Sequence, residues 1–270
     1  MTKSKILLLD VDGTLVRHDT SLPSSAAEAV RAARAAGHQL FICTGRAKAE
    51  IYEHLWELGL DGMIGGNGSY IEHHDEVVHH QVLDVDVVQQ AIDWLESRHL
   101  AFYLECNSGL FGSPELFEQA ADRLGKTPAY VRDIFPEMVH DTSRGHDDVN
   151  KISFVLPRGT DLDELRRLFD GRASVASWTA SGVEDEFGEI GQLGVDKGRG
   201  VRLLADHLGR GTDDFIAFGD ARSDIALLES CGTGVAMGQA PDELKGVATW
   251  VTDSVDDDGL AHAFERLGLV

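Results

Sequence analysis

The feature that most constrains this chain is an apolar run that ends abruptly in acid. Ile6–Leu9 has no polar residue, and Asp10-Val11-Asp12-Gly13-Thr14-Leu15 follows it directly. A run without polar alternation fits a strand buried on both faces, as in a parallel sheet. Gln39–Cys43 repeats the pattern and ends in Thr44-Gly45-Arg46. Between the two runs, Ser25 and Glu28 have the spacing of a capping box for an Ala-rich helix reaching Ala36, with Gly37 as its left-handed stop. A helical period continues over residues 47–58, up to Gly59. Strand, helix, strand, helix predicts a βαβ unit and a parallel sheet.

The far end of the chain has the same grammar. Lys197 opens a helix that continues over residues 201–208, and residues 215–218 read as a buried strand ending in Gly219-Asp220. Residues 225–228 start another helix, and Thr233–Ala236 reads as another strand. The middle differs. Helices at 85–98 and 162–169 mix with strands near 102–105, 151–156, 173–177 and 184–190 in a partly antiparallel pattern. The expected fold is therefore α/β, a doubly wound Rossmann-like parallel sheet core of residues 1–83 and 193–270, with an α+β cap domain of residues 84–192 inserted into it.

Charge narrows the partners. Asp and Glu number 46 against 24 Lys and Arg, a formal net charge of −22, and no basic stripe interrupts the field. Such a surface repels phosphate backbones, so nucleic acid is not an expected partner. Cys43, Cys106 and Cys231 form no metal-ligand or disulfide spacing and read as reduced thiols of a cytoplasmic protein. The start of the chain is too polar for a signal peptide, and no apolar stretch is long enough to span a membrane. A monomer or homodimer is expected.

The chemistry-bearing residues fall where ligands bind an open parallel sheet, at strand carboxyl ends and helix N-termini. If the chain turns after Asp10, as Gly13 allows, Asp10 and Asp12 both face a crevice, one available as nucleophile and the other as acid and base. Thr44, the Gly45 amide and Lys197 add donors for an anion, and Gly219-Asp220-Ala221-Arg222-Ser223-Asp224 adds carboxylates. Together these are the parts needed to move a phosphoryl group. A carboxylate nucleophile facing an anion calls for a divalent cation, and Mg²⁺ takes oxygen ligands of the kind Asp10 and Asp220 offer, with Asp224 behind them.

Other residues read more blandly. His73, His74, His79 and His80 flank a turn at Asp75-Glu76 and invite a transition-metal site, but neighbouring strand residues point to opposite faces, which favours a solvated hairpin. Arg46 either belongs to the Thr44-Gly45-Arg46 motif turn or pairs with surface acids, and the second reading is favoured for its guanidinium. Asn67 either orients phosphate or takes the left-handed position of the Gly66-Asn67-Gly68 turn. Residues 105–109 and Lys151 could contact a leaving group or simply solvate a strand edge.

The joint pattern resembles the haloacid dehalogenase (HAD) superfamily, and within it the Cof-type phosphatases, subclass IIB, whose cap lies between the second and third motifs. The tail Gly234-Val235-Ala236-Met237-Gly238-Gln239-Ala240, Val251-Thr252 and Asp258-Gly259 also resemble that subgroup. The resemblance implies Mg²⁺-dependent hydrolysis of a small phosphomonoester, a sugar phosphate or similar metabolite, through an aspartyl-phosphate. Asp10 would attack phosphorus, and Asp12 would protonate the leaving oxygen and then activate water. Thr44, Gly45 and Lys197 would hold the phosphate, and Mg²⁺ would sit on Asp10, the backbone carbonyl of Asp12 and Asp220, near Asp224. Asn67 is a further candidate. Ser223 stands where the family usually has Asn, which shortens that polar contact or routes it through water. A phosphomutase and a non-catalytic phosphometabolite-binding protein remain as alternatives, the second disfavoured because a pure binder needs no pair like Asp10 and Asp12.

Overall fold

The computed structural model describes residues 4–135, 138–139, 145–179 and 184–270. The chain divides into two compact units, one made of Met1–Gly45, Tyr52–His80 and Val195–Val270, the other of Arg46–Ile51 and Gln81–Gly194. In chain order the first unit begins with β1 (Ile6–Leu9), α1 (Ser24–Ala35), β2 (Gln39–Cys43), α2 (Glu53–Trp56), β3 (Gly62–Gly65), β4 (Tyr70–His73) and β5 (Glu76–His80). The second unit contributes α3 (Val85–Ser97), β6 (Phe102–Cys106), β7 (Leu110–Gly112), α4 (Leu116–Leu124), α5 (Pro128–Ile134), β8 (Met138–Val139), β9 (Val149–Val155), α6 (Asp163–Leu168), β10 (Ala173–Trp178) and β11 (Phe187–Gln192). The chain then returns to the first unit with α7 (Lys197–Leu208), β12 (Phe215–Gly219), α8 (Ile225–Glu229), β13 (Thr233–Ala236), α9 (Asp242–Val247), β14 (Trp250–Val251) and α10 (Gly259–Leu267).

The strands of the first unit form a sheet in the order β14-β13-β12-β1-β2-β3-β4-β5. From β14 to β3 every pairing is parallel, and β4 and β5 append an antiparallel hairpin. Leu9 of β1 lies in register with Phe218 of β12 on one side and Ile42 of β2 on the other. Strand order reverses about β1, so its carboxyl end is the switch point at which open α/β sheets bind ligands. All four residues of β1 are fully buried, as the uninterrupted apolar run requires. On one face Ile6, Leu8, Phe41, Ile64 and Phe215 pack with Val201 and Leu204 of α7 and Leu227 and Leu228 of α8. On the other, the Phe218 ring lies 5.1 Å from Phe264 of α10. Each such buried side chain contributes about 1.5–3 kcal/mol by leaving water.

The second unit is built on β10-β11-β9-β6-β7-β8, antiparallel except for the β7–β8 pair. Strand alternation sorts its faces. Phe102, Leu104, Ile152, Phe154 and Ile190 pack against α3 and α6. Tyr103, Val155 and Phe187 pack with Leu116, Phe117 and Ala120 of α4 and Val131 of α5. Among the described residues no helix is long and apolar enough to cross a membrane.

Two local expectations fail. Residues 47–58 do not form one helix: Lys48–Glu50 is a 3₁₀ turn, Ile51 and Tyr52 are extended, and only Glu53–Trp56 is α-helical. The helical period loses to tertiary contacts, because the Lys48 N–H donates to Asn107 Oδ1 (3.1 Å) and the Ala47 N–H donates to the Glu50 carboxylate (2.7 Å). Ser25 is no N-cap. Pro23 takes that position, with φ −59° and ψ 135°, and the Ser25 hydroxyl donates instead to Asp258.

Candidate active site

The site starts where β1 stops. The Asp10 N–H still donates to Phe218 O (3.0 Å), and then the chain turns tightly, with Val11 O accepting from the N–H groups of Leu15 and Val16. Gly13 makes the turn possible on two counts. Its φ is +85°, and a Cβ there would sit 2.2 Å from Asp220 Oδ2. Asp220 follows β12 directly and is buried, as is Asp10, while Asp12 is half-buried. The Thr14 hydroxyl is 3.5 Å from Asp220 Oδ1.

The neighbouring strand β2 delivers Thr44, which is buried; its N–H donates to Ile64 O (2.9 Å) and its carbonyl accepts from the Asn67 N–H (3.1 Å). Asn67 has φ 57°, so it does take the left-handed turn position, and its side-chain oxygen lies close enough to Gly45 that a Cβ there would be 3.1 Å away. Opposite, Asp196 caps α7 by accepting from the Arg199 N–H (2.6 Å), which puts Lys197 at the first helical position. Lys197 is 2% exposed, and its Nζ donates to Asp10 Oδ1 and Asp224 Oδ1, both at 2.6 Å. The second oxygen of the fully buried Asp224 accepts the N–H groups of Asp220 (3.0 Å) and Ala221 (2.9 Å).

Asp10, Asp220 and Asp224 each present an oxygen within 4.8 Å of the others. One ammonium among three buried carboxylates leaves an excess of negative charge. Burial and then repulsion from Asp224 push the Asp10 pKa well above its ordinary value, against the pull of Lys197. The same two causes raise Asp220 to about 6. Burial disfavours the charged form of Lys197, but Asp10 and Asp224 outweigh it and hold the ammonium protonated. The converging carboxylate oxygens form an all-oxygen donor set, which suits a hard divalent ion such as Mg²⁺.

Asp10, Asp12, Thr44, Gly45, Lys197, Asp220 and Asp224 thus belong to one unit and collect at the carboxyl ends of adjacent strands. Ser223 is exposed on the 3₁₀ turn Arg222–Asp224, outside the buried cluster. Arg46 falls in the second unit, where its guanidinium donates to Glu50 O at 3.4 Å. The histidine hairpin forms, but the opposite-face argument does not hold for its first pair. His74 leaves the strand with φ 50°, so its ring lies 4.2 Å from that of His73, and His207 of α7 comes within 3.1 Å of His73 Nδ1. Among the described residues it is the three aspartates, not these imidazoles, whose ligand atoms converge. Glu105, which is buried, joins the half-buried Lys151 and Glu189 in an ion network of the second unit, with Lys151 Nζ 3.2 Å from Glu105 and 2.9 Å from Glu189. Sequence reasoning placed Gln239 in the family-like tail Gly234–Ala240 but gave it no role; its amide reaches Gly13 O (2.5 Å), a contact spanning most of the chain.

Relatives point the same way. The phosphatase YwpJ of Bacillus subtilis is 27% identical over 288 residues, covering 97% of this chain and 99% of the relative. The pyridoxal phosphate phosphatase YbhA of Escherichia coli K12 is 27% identical over 279 residues, covering 96% of this chain and 97% of the relative. The solved structure of the HAD subclass IIB sugar phosphatase BT4131 has a TM-score of 0.79 at 26% identity, over 99% of this chain and 100% of that one. The family model for haloacid dehalogenase-like hydrolases matches residues 7–264, and this chain belongs to that family.

Proposed function

We propose that this chain, a phosphatase of the haloacid dehalogenase-like family, hydrolyses a small phosphomonoester in two steps through a phosphoaspartate on Asp10. The observation that carries the reading is the Lys197 ammonium held 2.6 Å from both Asp10 and Asp224 beside Asp220, all buried at the switch point of the sheet. Asp10 and Asp220, with the Asp12 carbonyl, are the groups that would hold Mg²⁺, and Asp224 stands behind them. When bound, that ion supplies the positive charge that lets an anionic nucleophile approach an anionic substrate.

The chain's own residues do the rest. A carboxylate oxygen of Asp10 bonds to phosphorus as the bond to the leaving oxygen breaks, and that oxygen takes the proton of Asp12. Asp12, now a carboxylate, takes a proton from water as the water oxygen attacks the phosphoaspartate, releasing inorganic phosphate and restoring Asp10. Lys197 and the Thr44 and Gly45 donors hold the phosphoryl oxygens throughout. The second unit would act as the cap that contacts the leaving group. Sugar phosphates lead as substrate class, supported by the likeness to a sugar phosphatase, with pyridoxal phosphate behind, the substrate in the name of the Escherichia coli relative. Cytoplasmic location and a monomeric or dimeric state complete the proposal.

Asp12→Ala tests the two-step scheme. A p-nitrophenolate leaving group needs little protonation, whereas the second step still needs a base, so turnover should fall about 10²–10⁴-fold while the phosphoaspartate accumulates. Acid quenching followed by intact-mass analysis should show one added phosphoryl group after a burst of p-nitrophenolate. Steady release with neither burst nor adduct, equally slow for good and poor leaving groups, would remove Asp12 from proton transfer.

A further inference from the structure

Gln239 braces the loop that carries Asp10 and Asp12. Beyond β13, the Met237 N–H donates to Gly219 O (2.9 Å) and the Gly238 N–H donates to Asp253 O (2.9 Å). The approach at Gly238 is so close that a Cβ there would lie 2.6 Å from Ser254 N. The next side chain then spans two backbone groups: Gln239 Nε2 donates to Gly13 O at 2.5 Å, and Gln239 Oε1 accepts from the Val255 N–H at 3.1 Å. A carbonyl only accepts and an N–H only donates, so these partners decide which end of the amide is which.

Gly13 is the residue most in need of such a hold. At φ +85° and without a side chain it has the widest choice of backbone conformations in the turn, and its neighbour is Asp12. Contacts on every side take that choice away. The Gly13 N–H donates to Val16 O at 2.8 Å, its Cα lies against the Asp220 carboxylate, and its carbonyl is held by Gln239. A trans peptide points its C=O opposite to its N–H, so the first bond sets the direction of the Asp12 carbonyl, and the next peptide plane is set by the short Gln239 bond on its carbonyl edge and a longer Thr14 N–H to Val11 O bond (3.3 Å) on the other. With both planes fixed, neither Gly13 torsion is free.

We propose that Gln239 is a positioning residue for the reaction, holding the Gly13 peptide so that Asp12 and Asp220 keep their working arrangement. Gln239 touches no reacting atom in this scheme and acts only through Gly13. The inference rests on the proposed role of Asp12 and is open to a separate check through Mg²⁺ affinity.

Two variants of nearly the same size test it. Gln239→Met loses both hydrogen bonds. Gln239→Glu keeps the acceptor for Val255 but turns a carboxylate oxygen toward the Gly13 carbonyl. Misplacing a catalytic group by a fraction of an ångström should lower kcat about tenfold in the Met variant and further in the Glu variant, with KM changed by less than about twofold. The loss should be larger for an alkyl phosphate than for p-nitrophenyl phosphate, because the poorer leaving group depends more on Asp12. Calorimetry should show Mg²⁺ binding weakened by at least about threefold, while the thermal midpoint stays near that of the native chain. A native chain that binds Mg²⁺ and yet releases no phosphate would overturn the hydrolytic reading, and a weakened Mg²⁺ affinity in Gln239→Glu would still support the brace. Unchanged kcat and Mg²⁺ affinity in both variants would overturn the brace. So would equal losses in the two variants that merely follow a lowered thermal midpoint.

Discussion

Each unit sets a lysine among carboxylates, fully buried in the first and half-buried in the second, and the two clusters are built differently. In the first, Lys197 bridges Asp10 and Asp224, short side chains at the carboxyl end of β1 and in the turn after β12, and their oxygens converge with those of Asp220. In the second, Lys151 sits mid-strand on β9 between Glu105 of β6 and Glu189 of β11, and the Ser153 hydroxyl donates to the other oxygen of Glu105 (2.6 Å). Burial, and then repulsion from Glu50, raise Glu105 well above its ordinary pKa, much as burial and Asp224 raise Asp10. Perturbed ionisable groups therefore do not single out the active site here. What separates the clusters is donor geometry: oxygens of three aspartates converge within 4.8 Å at strand ends, whereas Lys151 and its glutamates lie mid-strand on one face of the sheet. The three aspartates leave a place for a cation, and the glutamates spend their lone pairs on a lysine and a hydroxyl.

The largest effects should break the likeness outright. Asp10→Asn and Asp220→Asn are expected to lower phosphate release by at least about 10³-fold, because one removes the nucleophile and both weaken the oxygen donor set. Glu105→Gln, which keeps the size and one acceptor oxygen at a carboxyl that is not among the reacting groups of the scheme, should stay within about threefold of the native rate. Steady-state assays on folded variants decide it. A large loss in Glu105→Gln would bring the second cluster into the reaction.

Stability sharpens the comparison. Lys197→Met strands the buried Asp10 and Asp224, and removing one partner of a buried pair typically costs about 3–5 kcal/mol; Lys151→Met leaves the buried Glu105 and the half-buried Glu189, where solvent softens the loss. Denaturant unfolding in EDTA should show a loss in each, the larger in Lys197→Met. Saturating Mg²⁺ should recover part of the loss in Lys197→Met, where carboxylate oxygens converge, and none in Lys151→Met. Equal recovery in both, or in neither, would mean that the convergence of the three aspartates has no bearing on cation binding.

The parts legible in the sequence were those set by local rules. The run Ile6–Leu9 ending in Asp10 foretold a doubly buried strand with a carboxylate at its end, and the return of that grammar at 215–220 foretold the parallel partner. Lys197 reads as the opening of a helix, so its ammonium could be placed at a helix N-terminus without coordinates, and the structure adds Asp196 as the cap. The parts that could not be read depend on distant partners. The broken helix over 47–58 turns on Asn107, and Ser25 is drawn off by Asp258. The His73–His207 contact and the hold of Gln239 on Gly13 join residues more than 100 positions apart. Periodicity reports what a segment prefers alone and is silent about which backbone group will meet it in the fold.

The smallest expected effect is a pH dependence that both clusters share and only one should lose on binding a cation. A carboxyl whose pKa is raised by folding binds more protons in the native than in the unfolded state between the two values, so stability falls as pH rises through that window. For Asp220 the window runs from 3.8 to about 6, which bounds its contribution at roughly 3 kcal/mol, and less where the shift is shared with Asp10 and Asp224. Glu105 adds a slope of the same sign starting near 4.5. Unfolding midpoints in denaturant, measured from pH 4.5 to 7.5, should fall less steeply with Mg²⁺ than with EDTA, because a bound cation holds the aspartates ionised in the native state. The slope that survives in Mg²⁺ should shrink in Glu105→Gln, where no proton can be gained or lost. If the profiles with Mg²⁺ and EDTA run parallel, the aspartates do not share their charge with a cation. If Glu105→Gln leaves the residual slope intact, the second cluster is not a source of it.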